Sequence, residues 1–293
     1  MLEAIKSALN SGNLIPYLGP EVLSLVGEGN PLPATPETLV ARLIATTSVP
    51  HKIRNNLTAA AQFIENFKHR KTISALMKGA FEPVVEPSPL HKFLSTVPNL
   101  PLLVHVWYDD LPQQALAGRS NWGIVQGVSQ AEHFGEWVNY FQPDGTPVQI
   151  PVNPTPGTSA QGTPPEALAW STLLYQPLGS IRPATNFIIS DSDYVEVLTE
   201  IDIQTPIPEV VQSIRKGRNF LFLGCHFRNQ LERSFARQIM KRSSDKHWAV
   251  MAEEPNKNER RFLEEQNIQV INMPLADFAR QLAEGFPATD AAE

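Results

Sequence analysis

Apolar residues along this chain gather into short continuous runs, and between the runs they recur every three or four positions. A short continuous run predicts a buried strand, and the three-to-four recurrence predicts an amphipathic helix. Residues 102–106, LLVHV, are apolar but for one histidine and too short for a helix, so they read as a strand. The run halts at Asp109 and Asp110, both good N-caps; Leu111, Ala115 and Leu116 then share one face of a helix with Pro112 in its first turn, where proline is tolerated. The same order of strand, loop and helix recurs. Residues 14–18 end in Gly19-Pro20-Glu21, residues 172–175 break at 176–180, and residues 219–223, NFLFL, stop at Gly224-Cys225-His226 before an amphipathic helix over 231–241. Further strands are expected at 247–251 and 269–271, with helices over 2–10, from Pro36, over 55–80, 88–97, from Ser190, and over 209–216, 257–266 and 275–284. This alternation predicts an α/β fold, a Rossmann-like doubly wound parallel sheet. Ligands of such sheets lie at the carboxyl ends of the strands, which points to residues 105–110 and the equivalent loops.

Between residues 118 and 169 the pattern changes to glycines and prolines with Trp122, Trp137, Tyr140 and Phe141 among them. Pro143-Asp144-Gly145 between WVNYF and PVQI predicts a β-hairpin. Residues 151–165 carry too much proline and glycine to pack a core and read as an extended or mobile loop. The expected plan is a Rossmann-like unit of residues 1–118 and 171–293, interrupted at 119–170 by a small aromatic, Pro/Gly-rich module or lid.

Charge and composition narrow the function classes. With 293 residues, 42% of them hydrophobic, the chain can bury a full core. Its 24 Lys and Arg stand against 30 Asp and Glu, a net charge of -6 that argues against phosphate-backbone binding, so no nucleic acid partner is expected. The basic stretch Lys68-His69-Arg70-Lys71 reads as a solvated helix end. A single cysteine, Cys225, excludes an internal disulfide and a cysteine-rich metal site, and no metal is expected. The first residues lack the cationic and apolar segments of a signal peptide, and no apolar run reaches about 18 residues, so the expectation is a cytoplasmic protein without membrane contact.

Five segments taken in order, LIPYLGPEVLSL, PLHKFLSTVPNLPLLVHVWYDDLPQQAL, LLYQPLGSI, ISDSDYVEVL and FLFLGCHFRNQLERSFARQIM, resemble the sirtuin-like (silent information regulator type) domains of bacterial proteins, many of them NAD-consuming defence proteins. The resemblance implies a pocket for NAD or ADP-ribose at the strand ends. It places Gly19, Glu21, Trp107, Asp109, Leu178, Gly179, Gly224 and Cys225 at the cofactor-facing positions. Three departures stand out. The family's first loop is similar to Gly-Ala-Gly, whereas here Pro20 has no N–H to donate and Glu21 sets a negative charge where a diphosphate would sit. Trp107 occupies the position of the Asn that contacts the nicotinamide ribose; it offers a donor but no acceptor, and its indole is expected to project into the ribose space. Leu178 occupies the position of the general-base His and has no titratable group.

These losses set the expectation of a catalytically degenerate sirtuin-like protein with no catalytic residues and no bound cofactor. It would act as a binding, regulatory or scaffold subunit by contact with a protein partner through the aromatic insertion, with an oligomer left open. Two alternatives stand beside it. One is an active NAD glycohydrolase or deacylase with a rearranged site, in which His105 or His226 and Asp109 or Asp110 substitute; the other is a sensor that binds NAD or ADP-ribose without turnover. His91 and Asp109 read as structural, the latter as a helix cap, and Cys225 as a buried inert thiol.

Overall fold

The computed structural model describes residues 1–131, 136–150, 162–200 and 207–286. Helix α1 (Leu2–Asn10) buries Ile5 and Leu9, one turn apart, and feeds strand β1 (Leu14–Leu18), buried along its whole length. A 3₁₀ turn (Pro20–Val26) follows, then α2 (Pro36–Ala45), α3 (Leu57–Lys68) and α4 (Arg70–Phe81), which pack on one another. Thr35 and Thr38 cap α2 reciprocally with proline at the first helical position, and the Asn56 side chain caps α3, so each helix starts where its sequence satisfies the free N–H groups. Next come α5 (Pro89–Thr96), β2 (Leu102–His105), α6 (Leu111–Leu116), β3 (Trp122–Gly127), β4 (Val138–Phe141), β5 (Pro147–Val148), α7 (Pro165–Ala169), β6 (Thr172–Gln176), β7 (Gly179–Ser180) and β8 (Asn186–Phe187). The chain continues through α8 (Asp191–Glu200), α9 (Glu209–Arg215), β9 (Asn219–Leu223), α10 (Gln230–Ile239), β10 (His247–Met251), α11 (Lys257–Glu265), β11 (Ile268–Asn272) and α12 (Leu275–Ala283).

Nine strands form one sheet in the order β11-β10-β9-β1-β2-β6-β3-β4-β5, and β7 and β8 pair separately. All neighbours from β11 to β3 are parallel, while β4 and β5 run antiparallel at one edge. Strand alternation divides the interior into two apolar layers. Phe220 and Phe222 of β9 face a core shared with α2, α3, α4 and α10; Leu221 and Leu223 face a second core shared with α1, α5 and α12. Helices therefore cover both faces, and the fold is the doubly wound, Rossmann-like α/β arrangement that the alternating runs predict.

The segment 119–170 does not stand apart from this sheet. Its β3 lies between β6 and β4, fully buried, with Trp122 and Ile124 in the second core; β4 and β5 form the hairpin expected at Pro143-Asp144-Gly145 and extend the sheet's edge. Trp122, Trp137, Tyr140 and Phe141 are all buried, so these four aromatic residues pack the interior. Residues 151–161 of the expected loop lie outside the described residues.

Candidate functional site

At the carboxyl ends of β1, β2, β6 and β9 the loops part to leave a cleft of about 520 Å³. One wall is the sheet end: Tyr17 of β1, Val106, Trp107 and Tyr108 after β2, Leu178 after β6, and residues 225–229 after β9. The opposite wall comes from the starts of α2 and α3, at residues 35–37 and 55–58, and α8 and α10 complete it with Asp191, Tyr194, Glu232 and Phe235.

Of the eight positions singled out from the sequence, Glu21, Trp107, Leu178 and Cys225 line the cleft. Gly19 and Gly224 sit behind it and hold its back wall together. A Cβ on Gly19 would lie 2.3 Å from the Gly224 carbonyl oxygen and 2.7 Å from Cys225 Sγ, while Gly224 itself has φ +66° and would drive a Cβ to within 2.6 Å of Val22 N. Their glycine character serves this close approach of two strand ends. Gly179 is elsewhere: at φ +78° it lets β7 pass β8, where a Cβ would meet Asn186 O at 2.1 Å. Asp109 also leaves the cleft. Its Oδ1 accepts from Leu111 N at 3.1 Å, as a helix cap would, and its Oδ2 lies 3.1 Å from His105 Nε2, in contact but without an aligned hydrogen bond. Asp110, at the capping position, instead turns to Gln114 Nε2 at 2.9 Å and Arg182 Nη1 at 2.5 Å.

Trp107 is only 4% exposed. Its indole N–H donates to Pro33 O at 2.8 Å, and its ring packs on Phe81 and Tyr108 with centroids 6.0 and 5.1 Å apart. The indole is thus an anchored part of the cleft wall, not a side chain loose in its middle. Tyr108 is fixed in turn by its hydroxyl, which donates to Ile188 O at 2.9 Å. Leu178 is buried beside them and contributes hydrocarbon only.

Charge in the cleft is arranged in pairs. Glu21 hydrogen-bonds His226 directly, joining the loop after β1 to the loop after β9. That bond holds Glu21 below the usual carboxylate range and raises His226 above the ordinary imidazole value. Arg228 is 2.9 Å from Glu253 and 3.9 Å from Glu37, so its charge is already matched. Glu232 is different. Burial pushes its carboxyl up to about 7 against the hydrogen bonds it receives from Asn229, and its Oε2 is sealed from solvent with no partner among the described residues. Burial, helped by the charges of Glu232 and Glu21, likewise raises the Cys225 thiol far above its ordinary value, which keeps it protonated and unreactive. Glu232 and Tyr194 were not singled out as site residues from the sequence. Asn229 followed three residues later by Glu232 signals a helix start, and that local signal says nothing of the cleft.

Among the described residues the other imidazoles do not line the cleft. Strand alternation turns His105 to the face of Leu103, away from Val104 and the cleft. There it meets His91 of α5, whose Nδ1 is 2.8 Å from Ser88 Oγ and whose own proton affinity burial lowers to a pKa of about 4 against the pull of Asp109. Gln176 ends β6 beside β2 on that same face, and His91 Nε2, His105 Nδ1 and both polar atoms of the Gln176 side chain have no hydrogen-bond partner among the described residues. Nor is the basic stretch 68–71 wholly solvated. Lys68, His69 and Lys71 are exposed, but Arg70 turns inward to Asp193 at 2.8 Å and Glu65 at 3.3 Å, because the buried Asp193 at the start of α8 needs a countercharge. Asp193 also accepts from Ser129 Oγ at 2.5 Å and from the N–H groups of Ile189 and Ser190. Among the described residues no group of three or more His, Cys, Asp or Glu side chains could hold a metal ion, and no helix is long and apolar enough to cross a membrane.

Residues 101–271, more than half of the chain, match the family model described as a SIR2-like domain. No curated protein matches the chain. The matched residues contain Trp107, Asp109, Leu178, Gly179, Gly224 and Cys225, and begin after the loop that carries Gly19 and Glu21.

Proposed function

The chain belongs to the SIR2-like domain family, and from that premise we propose that it is a catalytically degenerate member, a binding or regulatory subunit that engages a protein partner and does not consume NAD. The observation that carries this reading is that, among the described residues, the cleft holds no unpaired histidine at the position where the family's general base is expected. Where the resemblance calls for a histidine stands buried Leu178, and His226, the imidazole that does line the cleft, is bonded to Glu21. Removing a general base lowers a rate by about 10²- to 10⁴-fold. Charge adds a binding defect. Among the described residues Glu21, Glu37, Asp191 and Glu232 line the cleft against His226 and Arg228, so a diphosphate would meet more negative than positive side chains, and both cations already face a carboxylate.

The test is a calorimetric titration with NAD and ADP-ribose, followed by an assay of NAD consumption. Neither nucleotide should bind measurably at 1 mM, a concentration on the order of the weakest useful affinities, and no nicotinamide should be released. Leu178→His combined with Trp107→Asn should remain inactive unless Pro20 and Glu21 are also replaced by small residues. A second reading draws on the Glu21–His226 pair, since a carboxylate that orients an imidazole in a cleft is an acid–base arrangement. Nicotinamide release by the unaltered chain, lost in His226→Ala, would put that rearranged enzyme first and overturn the proposal.

A further inference from the structure

A dinucleotide site that has lost its nucleotide chemistry should close or fill with side chains, yet this cleft remains open at about 520 Å³, a volume in the range of small-molecule sites. What it offers a guest is therefore informative. Six aromatic side chains are among its lining: Tyr17, Trp107, Tyr108, Tyr194, Phe227 and Phe235. Aromatic faces attract cations, the more so in a partly dehydrated site. Carboxylates outnumber cationic groups along the lining. His226 is held by Glu21, and Arg228 by Glu253 and Glu37, which leaves Asp191 and Glu232 without a countercharge among the described residues.

Resting on the reading above, that this is a binding and not an NAD-consuming member of its family, we infer that the cleft receives an organic cation: an ammonium or guanidinium group carried on an apolar or aromatic body. The charged group lies toward Glu232 and Asp191, and the body lies against the Trp107–Tyr108 wall. Free small molecules and the arginine or lysine side chains of a partner protein share this chemistry. Both would offer a countercharge to a carboxylate of the lining that has one oxygen unpartnered among the described residues. Burial lifts the Glu232 carboxyl to about 7, in an environment shared with Tyr17, Tyr194, Cys225, Glu21 and His226. A cation held nearby stabilises the ionised form, so binding near neutrality must expel part of a proton.

The experiment is isothermal titration of the full chain at pH 7 with four probes: benzamidine, its neutral isostere benzamide, acetyl-Phe-Arg-amide, and NAD. Each is measured in two buffers of different ionisation enthalpy. A cationic probe should bind at least about tenfold more tightly than benzamide, and its heat should differ between buffers by up to about half a proton released, the ionised fraction left to gain when pKa and pH coincide. Glu232→Gln should remove the buffer dependence and at least tenfold of the affinity, and Asp191→Asn, the other carboxylate of the lining without a countercharge among the described residues, serves as a second, milder variant should Glu232→Gln fold poorly. Tighter binding of the dipeptide assigns the cation to a partner's side chain, and tighter binding of benzamidine assigns it to a free ligand. Equal binding of benzamidine and benzamide, or no binding of either cation, overturns this inference and leaves the proposed function standing if NAD is also refused. NAD binding more tightly than both cations overturns the two together.

Discussion

Two buried groups on opposite faces of the sheet should titrate against each other, and separating them tests the geometry of both. Glu232 has its carboxyl raised by burial from the usual 4.5 to about 7, and His91 has its imidazole lowered by burial from the usual 6.5 to about 4. For Glu232, the folded chain keeps a proton between pH 4.5 and 7 that the unfolded chain has lost. Its contribution to stability is therefore fully present below 4.5 and is lost as the pH rises through about 7. For His91 the sign is opposite. The unfolded chain gains a proton below 6.5 that the folded chain refuses, so stability is fully present above 6.5 and falls as the pH drops toward 4. Each pKa unit is worth about 1.4 kcal/mol, so each group moves stability by on the order of 3 kcal/mol, in opposite directions over nearly the same window. In the unaltered chain the two arms largely offset each other between about pH 4.5 and 7; Glu21, Asp109 and Asp193, all held low by their partners, act at lower pH, and the shifted His226, His247 and Glu196 are common to parent and variants and cancel in the difference between them. Glu232→Gln should strip out one arm: relative to the parent, its unfolding free energy should rise by on the order of 3 kcal/mol between pH 4.5 and 8. His91→Gln should strip out the other, with its relative stability rising as the pH falls from 7 to 4.5. Urea melts at five or six pH values measure both. A parent–Glu232→Gln difference that stays constant with pH would mean that the carboxyl is hydrated and not buried in the cleft wall.

Two further substitutions probe the frame. Gly179→Ala should lower stability by about 2 kcal/mol or more, because its φ of +78° and the 2.1 Å approach of Asn186 O both refuse a Cβ, whereas Gly118→Ala, with open space around it, should change little; thermal melts of the pair compare them directly. Arg70→Met should cost about 3–5 kcal/mol by leaving Asp193 without its cation, and adding Asp193→Asn should restore part of the loss in a double-mutant cycle; simple additivity of the two would refute the pairing.

The strands of the parallel sheet were legible where apolar runs were continuous, as at residues 14–18 and 219–223, because a strand buried on both faces cannot carry polar residues on either. Strand β3 was not legible. Its apolar residues are flanked by glycines and turn formers, and its parallel partner β6 lies some fifty residues onward, so nothing local marks the pairing. The side of the sheet on which a strand-end residue emerges was also hidden: alternation puts His105, the last residue of β2, on the face of Leu103 with His91, whereas Trp107 lies beyond the strand's end and joins the other core. Of the site, the sheet-side wall could be read from the loops, and Glu21, Trp107, Leu178 and Cys225, singled out from the sequence, line the cleft. The opposite wall could not, because Glu37 and Asn56 look like ordinary helix-start residues until α2 and α3 dock over the cleft.

The cleft's frame is held by bonds the protein makes with itself, and this explains how its chemistry could change while its shape persists. Trp107 is tied to Pro33, Tyr108 to Ile188, and the Ser180 hydroxyl donates to the carbonyls of Tyr108 and Asp109 at 3.2 and 3.1 Å. Gly19 N–H donates to Leu223 O at 2.8 Å, and Glu21 N–H to Gly224 O at 3.2 Å, so the loops after β1 and β9 are bonded backbone to backbone. None of these contacts needs a guest. A site pre-organised in this way loses little conformational entropy on binding, and substitutions at its surface alter what is bound before they alter whether the fold forms. Glu21 illustrates the point: its backbone N–H fixes the loop, whereas its side chain, bonded to His226, sets the sign of the charge that a ligand meets. Reversing that charge requires one side chain. Dismantling the cleft would require breaking the two apolar layers on which its frame rests.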